Sequence, residues 1–351
     1  MNLRRVSLSN NEKIALIGNL STMLGAGIPI LDAVDSLLAD TKGNPQKVLS
    51  SLRADLMQGK HLYNSFANFP GVFDKVTIAL LKAAEEAGNL ETTLIDLKDH
   101  IQKDTEFMDK VKLALVYPVI IGLVFLGVMM VILIVVVPKI ATVFSRLKVD
   151  LPLPTKIMIA ASDLLLNHTV PLLIGLGVFF VICWFLFRQF KSFFMNMFYS
   201  LPLVSNLVKM IDLTRFTRTL HLLLLSGIPI DSALDLCHNV VFRKSTAEVI
   251  KRSRDMILSG KRLADGLRSI KGVIPSIMVK LVEAGEKSGT LDKSMSDLAT
   301  HLDYQVSNAL RTLTSILEPV MLLVVGLAVG GMMLAIIAPI YGLIGQVGGV
   351  R

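Results

Sequence analysis

The stretch LGAGIPILDAVD (Leu24–Asp35) returns some two hundred residues later as LLSGIPIDSALD (Leu224–Asp235). Gly27, Ile28, Pro29, Ile30, Ala33 and Asp35 match Gly227, Ile228, Pro229, Ile230, Ala233 and Asp235. A glycine followed two residues later by proline, between apolar helical patterns, reads as one helix stopping and the next starting. Each copy therefore carries the same helix–elbow–helix unit.

The duplication extends in both directions. At an offset of 201, QGKHL (Gln58–Leu62) recurs as SGKRL (Ser259–Leu263), and AAEEAGNLE (Ala83–Glu91) as AGEKSGTLD (Ala284–Asp292). The same offset maps Tyr117–Pro118 onto Glu318–Pro319 and Pro138 onto Pro339. The repeated unit is thus a polar helical domain followed by an apolar run.

Those runs set the class of the protein. Of 351 residues, 52% are hydrophobic and 18% charged, against about a quarter charged in an ordinary soluble domain, and the mean hydropathy is +0.61. Residues 115–137, 169–187 and 316–338 are each long enough to cross a bilayer, which takes about 20 residues of helix. In the first and third runs, a pair of prolines brackets the span, Pro118 with Pro138 and Pro319 with Pro339. Proline near a span end costs few ladder hydrogen bonds. Trp184, Arg188 and Lys191 read as interface anchors at the end of the second run.

Two spans between the copies place both copies on one side. Of 36 Lys and Arg, 31 lie in the two polar domains, which favours a cytoplasmic location. The expectation is an all-α membrane protein with two repeated six-helix cytoplasmic bundles and three transmembrane helices. Its domains would be residues 1–114 and 188–315, its spans 115–137, 169–187 and 316–338, its extracytoplasmic segments the loop 138–168 and the tail 339–351. Residues 1–114 hold 13 basic and 14 acidic side chains, residues 188–315 hold 18 and 11. The second domain is the basic one, suited to anionic lipid or an acidic partner, or simply to a solvated surface. No signal peptide is expected at the N-terminus.

Within each copy, turn residues cut the chain into short helices. SNNE (Ser9–Glu12) reads as a capping box. Gly88 and Gly289 suit left-handed helix ends. Glu85 and Glu286 stand one turn earlier, where a carboxylate is slightly unfavourable. Their presence in both copies calls for a role, whether a buried hydrogen bond, a salt bridge or a partner contact.

Catalytic chemistry is poorly supported. No zinc-protease, P-loop, nucleophile-elbow or dinucleotide motif occurs. The six histidines are scattered, with His100 and His301 equivalent under the repeat. Cys183 and Cys237 have no partner at metal-ligand spacing. Glu85, Glu86, Glu91, Asp96 and Asp99 make a hard-oxygen set for Ca²⁺ only if their helices converge; no metal and no cofactor is expected. The basic surplus lacks the aromatic interleaving of a nucleic-acid surface. A transporter or channel subunit is the competing class, though the spans offer few polar groups. Glu318, at the opening of the third span, is either a positioning residue or a partner contact. Gly326 and Gly330 form a GxxxG that would allow close helix packing.

Taken together, LSTMLGAGIPILDAVDSL, RFTRTLHLLLLSGIPIDSALDL, AGEKSGTL, LPLPTKIMIAASDLL, YSLPLVSNLVKMIDLTRF and LEPVMLLVVGLAVGGMMLAIIAPIYGLI resemble the inner-membrane platform family of type II secretion systems and type IV pili. The likeness covers nearly the whole chain. It implies a non-enzymatic assembly scaffold. The partners it implies are a hexameric assembly ATPase, prepilin or pseudopilin subunits, other inner-membrane assembly proteins, membrane lipid and further copies of the chain. Candidate contact residues on this reading are Glu85, Glu286, Gly289, Glu318, Pro319, Gly227 and Pro229.

Overall fold

The computed structural model describes residues 6–147, 151–167 and 202–348. The second expected span, 169–187, lies outside the described residues, as do Cys183 and the anchors that follow it. No strand occurs among the described residues.

The first copy comprises α1 (Asn10–Gly25), α2 (Ile30–Asp40), α3 (Asn44–Met57), α4 (Leu62–Ala67), α5 (Lys75–Ala87) and the start of α6 (Leu90–Val131). Ser9 caps α1 as expected: the Glu12 amide donates to Ser9 Oγ, and the Ser9 amide donates to Glu12 Oε2 at 2.7 Å. Each helix turns a narrow apolar stripe inward. Leu16, Ile17 and Leu20 of α1 meet Leu49 and Leu52 of α3, Phe66 of α4, Leu80 and Leu81 of α5 and Leu94 of α6 in one core. Phe66 and Phe73 pack edge to face there, centroids 4.2 Å apart.

The second copy repeats this order with α9 (Pro202–Leu225), α10 (Ile230–Cys237), α11 (Lys244–Leu258), α12 (Leu263–Leu267), α13 (Ser276–Ser288) and the start of α14 (Leu291–Gly348). The two bundles form a single compact unit, Met1–Lys110 with Pro202–Asn308, and share one hydrophobic core. α5 of the first copy lies against α9 and α10 of the second.

A second unit takes Val111–Leu201 and Ala309–Arg351. Within it are the apolar parts of α6 and α14, a π-helical turn (Ile132–Val136), α7 (Val137–Leu147) and α8 (Leu153–Asn167). Among the described residues, two helical stretches are long and apolar enough to cross a membrane, Leu90–Arg146 and Leu291–Pro339.

Pro118, Pro319 and Pro339, which bracket the expected spans, lie inside α6 and α14 rather than at helix ends. A proline removes one ladder hydrogen bond and crowds the carbonyl four residues back, but neighbouring groups can satisfy that carbonyl inside a membrane. Residues 138–168, expected to be the loop between spans, carry α7 and α8.

Candidate functional site

The elbows are the most regular of the candidate features. In both copies the glycine takes a left-handed turn, with φ of 77° at Gly27 and 76° at Gly227. The Ile28 amide donates to Met23 O and the Ile228 amide to Leu223 O, each at 3.0 Å. The Gly27 amide donates to Leu24 O and the Gly227 amide to Leu224 O. This pair of bonds is the Schellman closure of a helix end. Pro29 and Pro229 then cap α2 and α10 with extended backbone. The Ala33 and Ala233 amides donate to Pro29 O and Pro229 O, so each elbow closes one helix and opens the next with its own backbone.

Glu85 and Glu286 have matching internal partners. The Leu62 and Tyr63 amides donate to the two oxygens of Glu85, at 3.0 and 3.3 Å. The Leu263 and Ala264 amides donate to those of Glu286, at 2.6 and 3.3 Å. Each carboxylate thus caps the N-terminus of the short helix α4 or α12, which has no side-chain cap of its own. The charge penalised at the end of its own helix is rewarded at the start of another. His61 Nδ1 lies 3.2 Å from Glu85 Oε1.

Gly88 and Gly289 end α5 and α13 in the left-handed region, at φ 71° and 70°. Gly285 answers a different need. A Cβ there would sit 2.2 Å from Ser294 Oγ and 2.7 Å from Ser294 Cβ. The first turn of α14 approaches α13 so closely that no side chain fits. The first copy has Ala84 and Thr93 at these positions.

In the membrane unit, Glu318 is exposed and shares with Tyr117, Phe125 and Met321 a largely apolar cavity of about 300 Å³. Pro319 follows inside unbroken helix. Sequence reading missed the role of α8 in the same unit. Pro339 has no N–H to give Ala335 O, and Thr155 Oγ1 donates to that carbonyl instead. At Pro138 the helix widens: the Val137 amide reaches back five residues to Ile132 O. The five-back donor for Leu133 O would be Pro138, which has none, and Ser162 Oγ donates to Leu133 O at 2.6 Å. Thr155 and Ser162 are buried and seven residues apart, two turns along one face of α8. The repeat-equivalent prolines thus each leave a carbonyl that one helix satisfies. The detectable signal was two hydroxyls at helical spacing in LPTKIMIAAS, where Lys156 is the one other polar side chain.

The junction of the two bundles holds another group not identified from sequence. Arg218 of α9 lies between Asp104 of α6 (3.7 Å) and Asp303 of α14 (3.8 Å), with its side chain 12% exposed. Arg215 reaches Asp104 at 3.4 Å, and Lys110 reaches Asp303 at 3.8 Å. Arg215 stacks on Phe242 and Arg218 on Phe107, the guanidinium carbons 4.7 and 5.3 Å from the ring centres. His100 faces the same junction, beside Asp74 and Asp104. Burial, with Arg218 near, pulls its pKa down to about 4 against the pull of Asp104. Asp212, fully buried, accepts from the Phe242 and Arg243 amides at 2.7 Å each. Burial pushes its carboxyl up despite those two bonds.

Among the described residues, no three His, Cys, Asp or Glu side chains come together as metal ligands. The acidic set from Glu85 to Asp99 does not converge, and Glu85 is engaged with the α4 amides. Cys237 is buried in the core and its thiol is pushed up by that burial.

Residues 16–138 and 216–339 each match the family described as type II secretion system protein F, so the repeat read from the elbows is the family unit used twice. The chain is 30% identical over 334 residues to the type IV pilus assembly protein PilC of Myxococcus xanthus, covering 93% of this chain and 79% of that one. It is 31% identical to PilC of Thermus thermophilus, over 93% and 81% of the two chains. It is 26% identical to the type II secretion system protein F of Aeromonas hydrophila, over 93% and 84%. With its two family units, each running into a long apolar helix, the chain belongs to the type II secretion system protein F family of membrane proteins.

Proposed function

We propose that this chain is the inner-membrane platform of a type IV pilus or type II secretion machine. It would couple a cytoplasmic hexameric assembly ATPase to the extraction and polymerisation of prepilin or pseudopilin subunits, without catalysis of its own. The observation that carries this reading is helical continuity. α6 and α14 each begin in a family unit and run unbroken into an apolar, membrane-length stretch. Displacing the start of such a helix displaces its apolar part, since the helix is continuous and Pro118 or Pro319 at the junction removes only one ladder hydrogen bond.

On this reading the two bundles are cytoplasmic, as is the N-terminus, and the C-terminus is extracytoplasmic. Three spans, at 115–137, 169–187 and 316–338, separate them. The basic balance of residues 188–315 supports a surface for acidic protein or anionic lipid. Glu318 and Pro319 are the best-placed contact residues, because Glu318 is exposed beside an apolar cavity. Glu85, Glu286, Gly289, Gly227 and Pro229 would act on partners indirectly, by holding the bundle surface in shape.

Affinity purification from the native host followed by mass spectrometry tests the platform reading. Co-purification of a P-loop assembly ATPase and prepilin-like proteins is expected; recovery of neither would overturn it. Glu318→Gln tests the site. Loss of piliation or secretion at normal protein abundance is expected, and wild-type assembly would remove Glu318 from the mechanism.

A further inference from the structure

The two copies are alike in sequence, but one face is covered in the first and open in the second. Val76 and Leu80 of α5 are 4% and 0% exposed, in the bundle whose α5 lies against α9 and α10 of the other copy. Their equivalents on α13, Ile277 and Leu281, are 55% and 42% exposed. His100, which faces the junction, corresponds to exposed His301. Tyr304, 66% exposed, lies one turn further along α14.

The receiving side shows the reverse asymmetry. Val76 shares a cavity with Arg215, Thr219 and Val241 of the second copy. The equivalent residues of the first copy, Ala15, Asn19 and Thr41, line an open groove of about 140 Å³ with Leu37 and Leu49. Nothing among the described residues covers that groove: Ala15 and Asn19 are exposed.

We propose that a second copy of this chain seats the Ile277–Leu281 face of its α13 in the Ala15–Asn19–Thr41 groove of the first. The contact would repeat, between chains, the packing that already joins the two bundles within a chain. Each contact joins a face to a different surface, and two chains that each offer one face and one groove make it twice about a two-fold axis, closing into a ring of four bundles. Charge favours this pairing over like-with-like contact. Residues 188–315 carry 18 basic and 11 acidic side chains and residues 1–114 carry 13 and 14, so each basic bundle meets a near-neutral one rather than another basic one.

Two differently tagged full-length chains, one carrying Ile277→Cys and the other Asn19→Cys, test this in the membranes of a co-expressing cell. A short bismaleimide is expected to give a species of about twice the 38.4 kDa chain mass, carrying both tags, only when both variants are present. A like-with-like product from either variant alone, or no product in the mixture, would overturn the proposal. Ile277→Lys with Leu281→Lys is the second measurement. Both side chains are largely exposed, so the fold should persist while the detergent-solubilised mass falls at least twofold; an unchanged mass would also overturn the proposal. Neither readout depends on pilus assembly or secretion, so each can fail or succeed independently of the platform reading.

Discussion

Replacing Glu286 with alanine should loosen α12 without unfolding the rest of the bundle. The carboxylate accepts two backbone amides, one at 2.6 Å and one at 3.3 Å, from residues that are themselves buried. Hydrogen bonds to a charged group contribute about 1.5–3 kcal/mol each, and loss of an N-terminal cap costs about 0.5–2 kcal/mol. The longer bond is near the limit of a useful one and the acceptor is only part-buried, so the expected loss is about 2 kcal/mol. That corresponds to about a 30-fold increase in local opening. Glu286→Gln keeps one acceptor oxygen and loses the charge, and should cost about half as much. Hydrogen–deuterium exchange on the full chain in detergent, read on the peptide covering Leu263–Leu267, measures this directly. Glu85→Ala should act in the same way on Leu62–Ala67. Unchanged exchange at Leu263 and Ala264 in the alanine variant would refute the capping role.

Three other outcomes follow from the packing. Thr155→Val and Ser162→Ala each leave a carbonyl beside a proline without a donor, and each should lower the melting temperature in detergent by an amount equivalent to about 1 kcal/mol, nearly additively in the double variant. Gly285→Ala forces α13 from Ser294 and should cost about 1–3 kcal/mol, with partial recovery when Ser294→Gly is added, read by thermal unfolding. His100 is neutral in the fold down to about pH 4, whereas a free histidine takes a proton near 6.5. The unfolded chain therefore binds the proton first. This group should cost the protein stability as pH falls from 6.5 to about 4, and His100→Asn should flatten that part of a stability–pH profile.

Much of the architecture could be read from residue order. The capping box at Ser9, the elbows at Pro29 and Pro229 and the glycine stops at Gly88 and Gly289 are local: neighbouring backbone groups satisfy one another within a few residues, so a short pattern is enough. Duplication strengthened each assignment by supplying it twice. The carboxylates at Glu85 and Glu286 were visible as an anomaly, a negative charge at the wrong end of a helix, but their partners belong to another helix, well separated along the chain. Only the folded chain identified them.

What the sequence determined by itself was helix position, the repeat, the apolar runs and the family, because these rest on periodicity, turn chemistry and order along the chain. The tertiary structure decided the rest. Arg218 reaches Asp104 and Asp303, both remote from it in sequence, because three helices meet at one place. Thr155 answers the carbonyl of Ala335, near the other end of the chain. At Pro138 and Pro339, α8 supplies the hydroxyl donors for carbonyls that the ladder leaves open. Contacts of this kind depend on where helix faces converge, and a buried group takes whichever partner the packing brings within hydrogen-bonding distance.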